Sequence, residues 1–152
     1  VNDHVDFSAV LTFPVIFCAL YAAHQVGDHW VQTHQQACDK GQRTAAGRAA
    51  CLLHVATLTA TKVMALLALA FVTGMPLGSW AMYAGLAVDA VSHYWADRRW
   101  TLQDLAERVG KGDFYRYGLP EAAPCGTGAY ALDQSWHVGW LFVASLIISK
   151  GF

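Results

Sequence analysis

Four apolar stretches alternate with polar connectors along the chain, at residues 8–23, 49–73, 77–96 and 135–149. The first extends without a charge from Phe7 to His24, about one membrane thickness. His54 and Lys62 interrupt the second, and Asp89 and His93 the third. The fourth is short and needs its flanks to cross a bilayer. The pattern predicts an all-α chain, a four-helix transmembrane bundle forming a single domain over residues 1–152. A soluble four-helix bundle is the competing reading.

The connectors refine this picture. Helix one is expected over residues 8–38, its polar part at 25–36 projecting beyond the membrane. Gly74-Met75-Pro76 predicts a tight turn between helices two and three. Helix three opens with Ala81, Gly85 and Asp89 at i, i+4 and i+8, and small residues there let helices approach closely. Residues 101–109 read as a short amphipathic helix with Leu102, Leu105 and Val109 on one side. Residues 110–130, rich in Gly, Pro and aromatics, are expected to form a mobile flap. Helix four then begins near Ala131.

Composition agrees with a membrane protein. Of 152 residues, 55% are hydrophobic and 14% charged, with a net charge of −1. Both proportions depart from an average soluble domain in that direction. The near-zero charge gives no bulk attraction to nucleic acid, so none is expected as a stable partner. Asp3 and Asp6, with no Lys or Arg beside them, argue against a signal peptide. Lys40, Arg43 and Arg48 fall in the first connector, none in the second, and Arg98, Arg99, Arg108, Lys111 and Arg116 in the third. The positive-inside rule then puts both chain ends outside and the first and third connectors in the cytoplasm; Lys150 runs against it. Cys18, Cys38, Cys51 and Cys125 show no CxxC spacing and no disulfide framework.

The candidate chemistry lies in a repeat of His and Asp four residues apart: His24–Asp28, Asp89–His93–Asp97 and Asp133–His137, with His54 besides. Four residues is just over one helical turn, so each pair shares a helix face. Threading the pairs onto four alternating helices brings all of them to one membrane face. Lys62 and Asp89 each lie eight residues further in, about 12 Å deeper at 1.5 Å per residue. An unpaired charge there is costly, so a buried Lys62–Asp89 ion pair is expected, with metal ligation by Asp89 as the rival. Asp133 has a second reading as the N-cap of helix four. His29 and His34 lie off the His24–Asp28 face and His4 in a terminal tail, and all three read as solvated.

Imidazole nitrogens and carboxylate oxygens without thiolate suit zinc, with manganese or iron as alternatives. The expected ligands are His24, Asp28, His54, His93, Asp97, Asp133 and His137. Seven are too many for one tetrahedral ion and match two, bridged by carboxylates and leaving positions for water. Gln32 and Gln134 would support the ligands by hydrogen bonding. Asp97 or Asp133 would act as general base. Arg98, Arg99 and Arg116 either receive phosphate or simply mark the cytoplasmic side. Trp30, Trp95, Trp100 and Trp136 flank the cluster as an interfacial belt or a stacking surface.

The stretches His24-Gln-Val-Gly-Asp28-His-Trp-Val-Gln32, Leu53-His54, Ser92-His93-Tyr-Trp-Ala-Asp97 and Leu132-Asp133-Gln134-Ser-Trp-His137 resemble the domain of unknown function family 3307. That resemblance implies a small multi-pass membrane protein of bacteria or their phages, here in the inner membrane, and supplies no activity. It points to His24, Asp28, Gln32, His54, His93, Asp97, Asp133, Gln134 and His137. His29-Trp30 and the long 110–130 segment depart from the family's pattern. The site is also similar, more remotely, to those of zinc-dependent phospholipase C, single-strand nucleases and membrane-bound metal-dependent hydrolases. The expectation is therefore a membrane-embedded metal-dependent hydrolase acting on a phosphoester or lipid-like substrate. Its alternatives are a membrane protein that handles protons or metal ions, and a phage-type accessory protein with a structural polar cluster.

Overall fold

The computed structural model describes residues 7–118 and 126–152. Asp3, His4, Asp6 and Cys125 lie outside that range, as does the middle of the expected flap. The described residues hold no strand. In chain order they form α1 (Phe7–Val26), a π-helical turn (Gly27–Val31), α2 (His34–Asp39), α3 (Ala45–Thr73), α4 (Trp80–Asp97), α5 (Trp100–Arg108), α6 (Gly112–Tyr115) and α7 (Gly128–Ser149).

The four long helices make a closed ring of contacts: α1 packs on α3 and α7, and α4 on the same two. Ile16, Leu20, Leu66, Leu86, Leu141 and Ile148 fill one end of that ring as a continuous apolar core. α4 and α7 share the broadest interface, and Gly85 sits in it. A Cβ at Gly85 would lie 2.5 Å from Ile148 Cγ1 and 2.8 Å from the Ala144 carbonyl oxygen. Gly85→Leu is therefore expected to lower stability by about 1–3 kcal/mol through overpacking. Gly139→Ala, on the same interface partner but facing open space, should not lower it. Thermal unfolding in detergent tests this, and equal melting of Gly85→Leu and the natural protein would disprove the close crossing.

Local chemistry sets the helix ends, and it moves several expected boundaries. Helix one does not continue to residue 38. Gln32 turns out of helical conformation, with ψ 128°, and Thr33 caps a new helix. The Thr33 hydroxyl accepts from Gln36 N at 3.2 Å, while Gln36 Oε1 accepts from Thr33 N at 2.8 Å. This reciprocal box satisfies two donors that a helix start leaves free. α3 ends at Gly74, whose φ of 72° is the left-handed conformation that glycine adopts without steric cost. α7 starts at Gly128 because Thr127 caps it, so Asp133 lies in the second turn and is not the N-cap. The segment after α5 contains the short helix α6. Val109 is exposed, and the buried face of α5 is Leu102 and Ala106.

Two described helical segments, Ser8–Val31 and Ala45–Thr73, are long and apolar enough to cross a membrane. Only 22% of the apolar window is buried in each, which is low for a core helix of a soluble bundle. Phe71, Val72, Trp80 and Trp30 project outward almost fully exposed. α4 and α7 carry Asp89, His93, Asp97, Asp133 and His137, whose polarity lowers their hydropathy.

Candidate metal centre

The end of the bundle opposite the apolar core is polar, and four chain segments build it. α1 contributes His24 and its π-helical turn Asp28; α3 contributes His54; α4 contributes His93 and Asp97; α7 contributes Asp133 and His137. The π turn is closed by Gln32 N donating to the Gly27 carbonyl at 3.0 Å. Such turns insert one extra residue into a helix and recur at functional sites. Gly27 lets this turn pack directly on α3, where a Cβ would collide with Leu58.

His24, His54, His93, Asp97 and His137 are buried, and their side chains converge. His54 Nε2 lies 3.1 Å from His93 Nε2, 3.2 Å from Asp28 Oδ1 and 3.2 Å from Asp97 Oδ2. His93 Nε2 is also 3.2 Å from Asp97 Oδ2. The His93 and His137 rings stack, 3.8 Å between centroids. His137 Nε2 is 3.4 Å from Asp133 Oδ1 and 3.8 Å from Asp97 Oδ1. His24 adjoins both rings, 5.5 Å from His93 and 5.2 Å from His137 between centroids.

Two groups therefore have the spacing of a metal site: Asp28, His54 and His93, and His93, Asp97 and His137. A tetrahedral zinc with ligand bonds of about 2.0–2.1 Å keeps its ligand atoms roughly 3.3 Å apart. The spacing around His54 Nε2 and His93 Nε2 is close to that. The contacts are also poor hydrogen bonds. Asp28 Oδ1, Asp97 Oδ2 and both nitrogens of His24 and His137 are buried without a hydrogen-bond partner among the described residues. Buried polar groups left in that condition are costly, and a cation among them is the arrangement that satisfies them together.

Asp89 stands apart from this convergence, its Oδ2 2.5 Å from Lys62 Nζ. Asp133 is partly exposed at the rim. Gln134 donates to Asp28 Oδ2 at 3.1 Å and approaches Asp133 Oδ2 at 3.4 Å. Gln32 reaches the adjoining cavity with a buried amide nitrogen that has no described partner. His29 and His34 are exposed, His29 accepting or donating to Tyr130 Oη at 3.2 Å.

Sequence reasoning missed Lys40 here and gave Arg98 a different role. Lys40, just past the end of α2, is buried with Nζ 2.8 Å from Asp97 Oδ1 and 3.8 Å from Asp28 Oδ1. Burial alone would depress its pKa, but the carboxylates of Asp97 and Asp28 outweigh that and hold the ammonium above its ordinary range. Arg98, also buried, donates to the carbonyls of Lys40, at 2.5 Å, and Gln42. It fastens the end of α2 to the end of α4 and so positions Lys40. Of the three arginines considered for phosphate, Arg98 is thus engaged by the backbone. Arg116 pairs with Glu107 and Asp113 on the surface. Arg99 reaches the cavity, held by the Ala37 carbonyl at 2.6 Å.

That cavity, about 370 Å³, opens beside the cluster and is lined by Asp28, Lys40, Asp97, Arg99 and Asp133 among others. A second hollow of about 370 Å³, largely apolar, runs between α5 and α7 past Leu105, Trp136 and Trp140, and Leu102 borders both. On the other side of Trp136 its ring lies 4.7 Å from that of Trp95 between centroids, and Trp136 donates to Ser92 Oγ at 3.0 Å.

Residues 16–151 match the model of the family described as Protein of unknown function (DUF3307). The chain belongs to that family. The match covers every element that contributes to the polar cluster, from α1 to α7. No curated protein and no solved structure matches the chain.

Proposed function

We propose that this DUF3307 protein is a membrane-embedded, metal-dependent hydrolase whose substrate is a phosphoester or lipid-like molecule. The observation that carries the reading is the set of buried, unsatisfied His and Asp donor atoms from four helices beside an open cavity. A divalent ion there would activate water and polarise the bond to be cleaved. Asp133, at the partly exposed rim, is better placed than the enclosed Asp97 to take a proton from that water. Gln134 orients both Asp28 and Asp133. The apolar hollow, which shares Leu102 with the cavity as a wall, suits the chain of a lipid-like substrate.

The membrane part of this reading has α1, α3, α4 and α7 as four spans, with both chain ends outside and the cluster at the cytoplasmic face of a bacterial inner membrane. The exposed apolar surfaces of α1 and α3 and the alternation of basic connectors support it. A path for protons or ions is the less favoured reading. Beyond the Lys62–Asp89 pair the bundle interior is closed by Ile16, Leu20, Leu66, Leu86 and Leu141, whereas a conduit needs polar groups through the full thickness.

Elemental analysis tests the proposal directly. Protein extracted in mild detergent without chelator is expected to carry stoichiometric zinc, manganese or iron. It should hydrolyse a phosphodiester or lyso-phospholipid from a test panel, and EDTA should stop it. Protein without bound metal, with melting indifferent to EDTA and to added zinc, would refute the reading.

A further inference from the structure

We infer that Lys40 holds the place of a second cation, so that the centre takes one divalent ion and not two. The inference rests on the metal reading above and specifies it. Asp97 presents its two oxygens to different sides. Oδ2 faces His54 and His93 at 3.2 Å each, and Oδ1 faces Lys40 at 2.8 Å and His137 at 3.8 Å. A carboxylate that bridges two metal ions divides its oxygens in the same way. Here an ammonium stands on the second side.

Charge leads to the same conclusion. Asp28, Asp97 and Asp133 bring three negative charges to the cluster, and Lys40 one positive charge. Asp89 is neutralised separately by Lys62. One divalent ion balances the two charges that remain; a second would leave two excess positive charges in a low-dielectric interior, whereas without the lysine the excess is one, which a single bound hydroxide neutralises. Ligand supply agrees. The two donor groups share His93, and its Nε2 has a single lone pair, so that atom ligates one ion. His54 Nε2 has tetrahedral spacing to His93 Nε2, Asp28 Oδ1 and Asp97 Oδ2, and so marks the place of that ion. His137 lies on the Oδ1 side of Asp97 with Lys40, and Asp133 adjoins His137.

Lys40 also lines the cavity, and an ammonium has three donors. With one directed at Asp97 and Asp28 on a second side at 3.8 Å, a donor is left for the cavity that Lys40 lines. Two-ion centres clamp both the attacking and the leaving oxygen of a displacement. In this chain the ion and Lys40 would divide that task, the lysine stabilising charge on the departing oxygen without a metal.

Metal stoichiometry tests this independently of activity. Protein stripped with EDTA, reloaded with zinc alone and freed of excess by gel filtration is expected to hold one zinc per chain. Lys40→Met, which keeps the apolar stem and removes the charge, is expected to hold two. Lys40→Arg should stay at one. Asp133→Asn should leave the otherwise natural chain at one and return Lys40→Met to one. Two zinc ions in the natural protein, or one in a folded Lys40→Met, overturns the inference while leaving the metal reading intact. No zinc in the natural protein overturns both. If Lys40→Met fails to fold by circular dichroism, Asp133→Asn decides: one retained zinc supports the assignment, and none overturns it.

Discussion

His93→Ala is expected to remove metal binding altogether. His93 is the residue common to both donor groups, and its Nε2 lies within 3.2 Å of His54 Nε2 and Asp97 Oδ2. Its loss leaves neither group with three donors, and it leaves the ligand set around His54 one short of the four a tetrahedral ion takes. The stabilisation that metal contributes at a thousandfold excess over its Kd is about 4 kcal/mol, and all of it should disappear. A merely structural role predicts something different, because truncating a buried ring costs stability whether or not metal is present. The informative quantity is the rise in melting temperature on adding zinc to EDTA-treated protein. It should be several degrees in the natural chain and absent in His93→Ala. A variant that keeps both stoichiometric zinc and that rise would eliminate His93 from the centre.

The second large effect concerns Lys62 and Asp89. Both side chains are buried, with Nζ 2.5 Å from Oδ2. Removing one partner leaves the other as an uncompensated charge in an apolar interior, at a cost of about 3–5 kcal/mol. Lys62→Met and Asp89→Leu should each melt well below the natural protein. The double variant should recover most of the loss, since a well-packed apolar pair often equals a buried ion pair or exceeds it. Metal content should be unchanged in all three, because Asp89 lies outside the donor groups. Single variants that melt like the natural chain would show that the pair is solvated. A double variant no better than the singles would show that the two residues act separately.

The particular residues explain what the sequence disclosed. His24–Asp28, His93–Asp97 and Asp133–His137 were legible because spacing by four fixes a helix face whatever the tertiary packing. Their common depth followed from alternating helix directions. Lys62 and Asp89 were legible for a related reason, being charges at matching depths in apolar helices. Lys40 and Arg98 were not. A basic residue in a connector looks the same whether it faces water or turns inward, and the contact of Lys40 with Asp97 joins residues 57 positions apart. Nor was the break after Gln32 legible. The sequence does carry a capping-box pattern, Thr33-x-x-Gln36, but it lies inside a run of polar residues that reads as one continuous helix, and its reciprocal hydrogen bonding ends one helix and starts another. Thr127 displaced Asp133 as a cap by the same kind of local competition.

The wide turn at Gly27–Val31 has a consequence for how this chain can vary. Its outer positions, Trp30 and Val31, are exposed and meet few constraints on identity. Their number is another matter. The turn closes over five residues, Gln32 N to Gly27 O, so deleting one residue between Asp28 and Gln32 would remove that closure and shift the point at which the chain leaves the helix. Thr33, α2 and the lysine that α2 delivers would then point away from Asp97. In this stretch the number of residues carries the constraint, and the exposed side chains carry little of it.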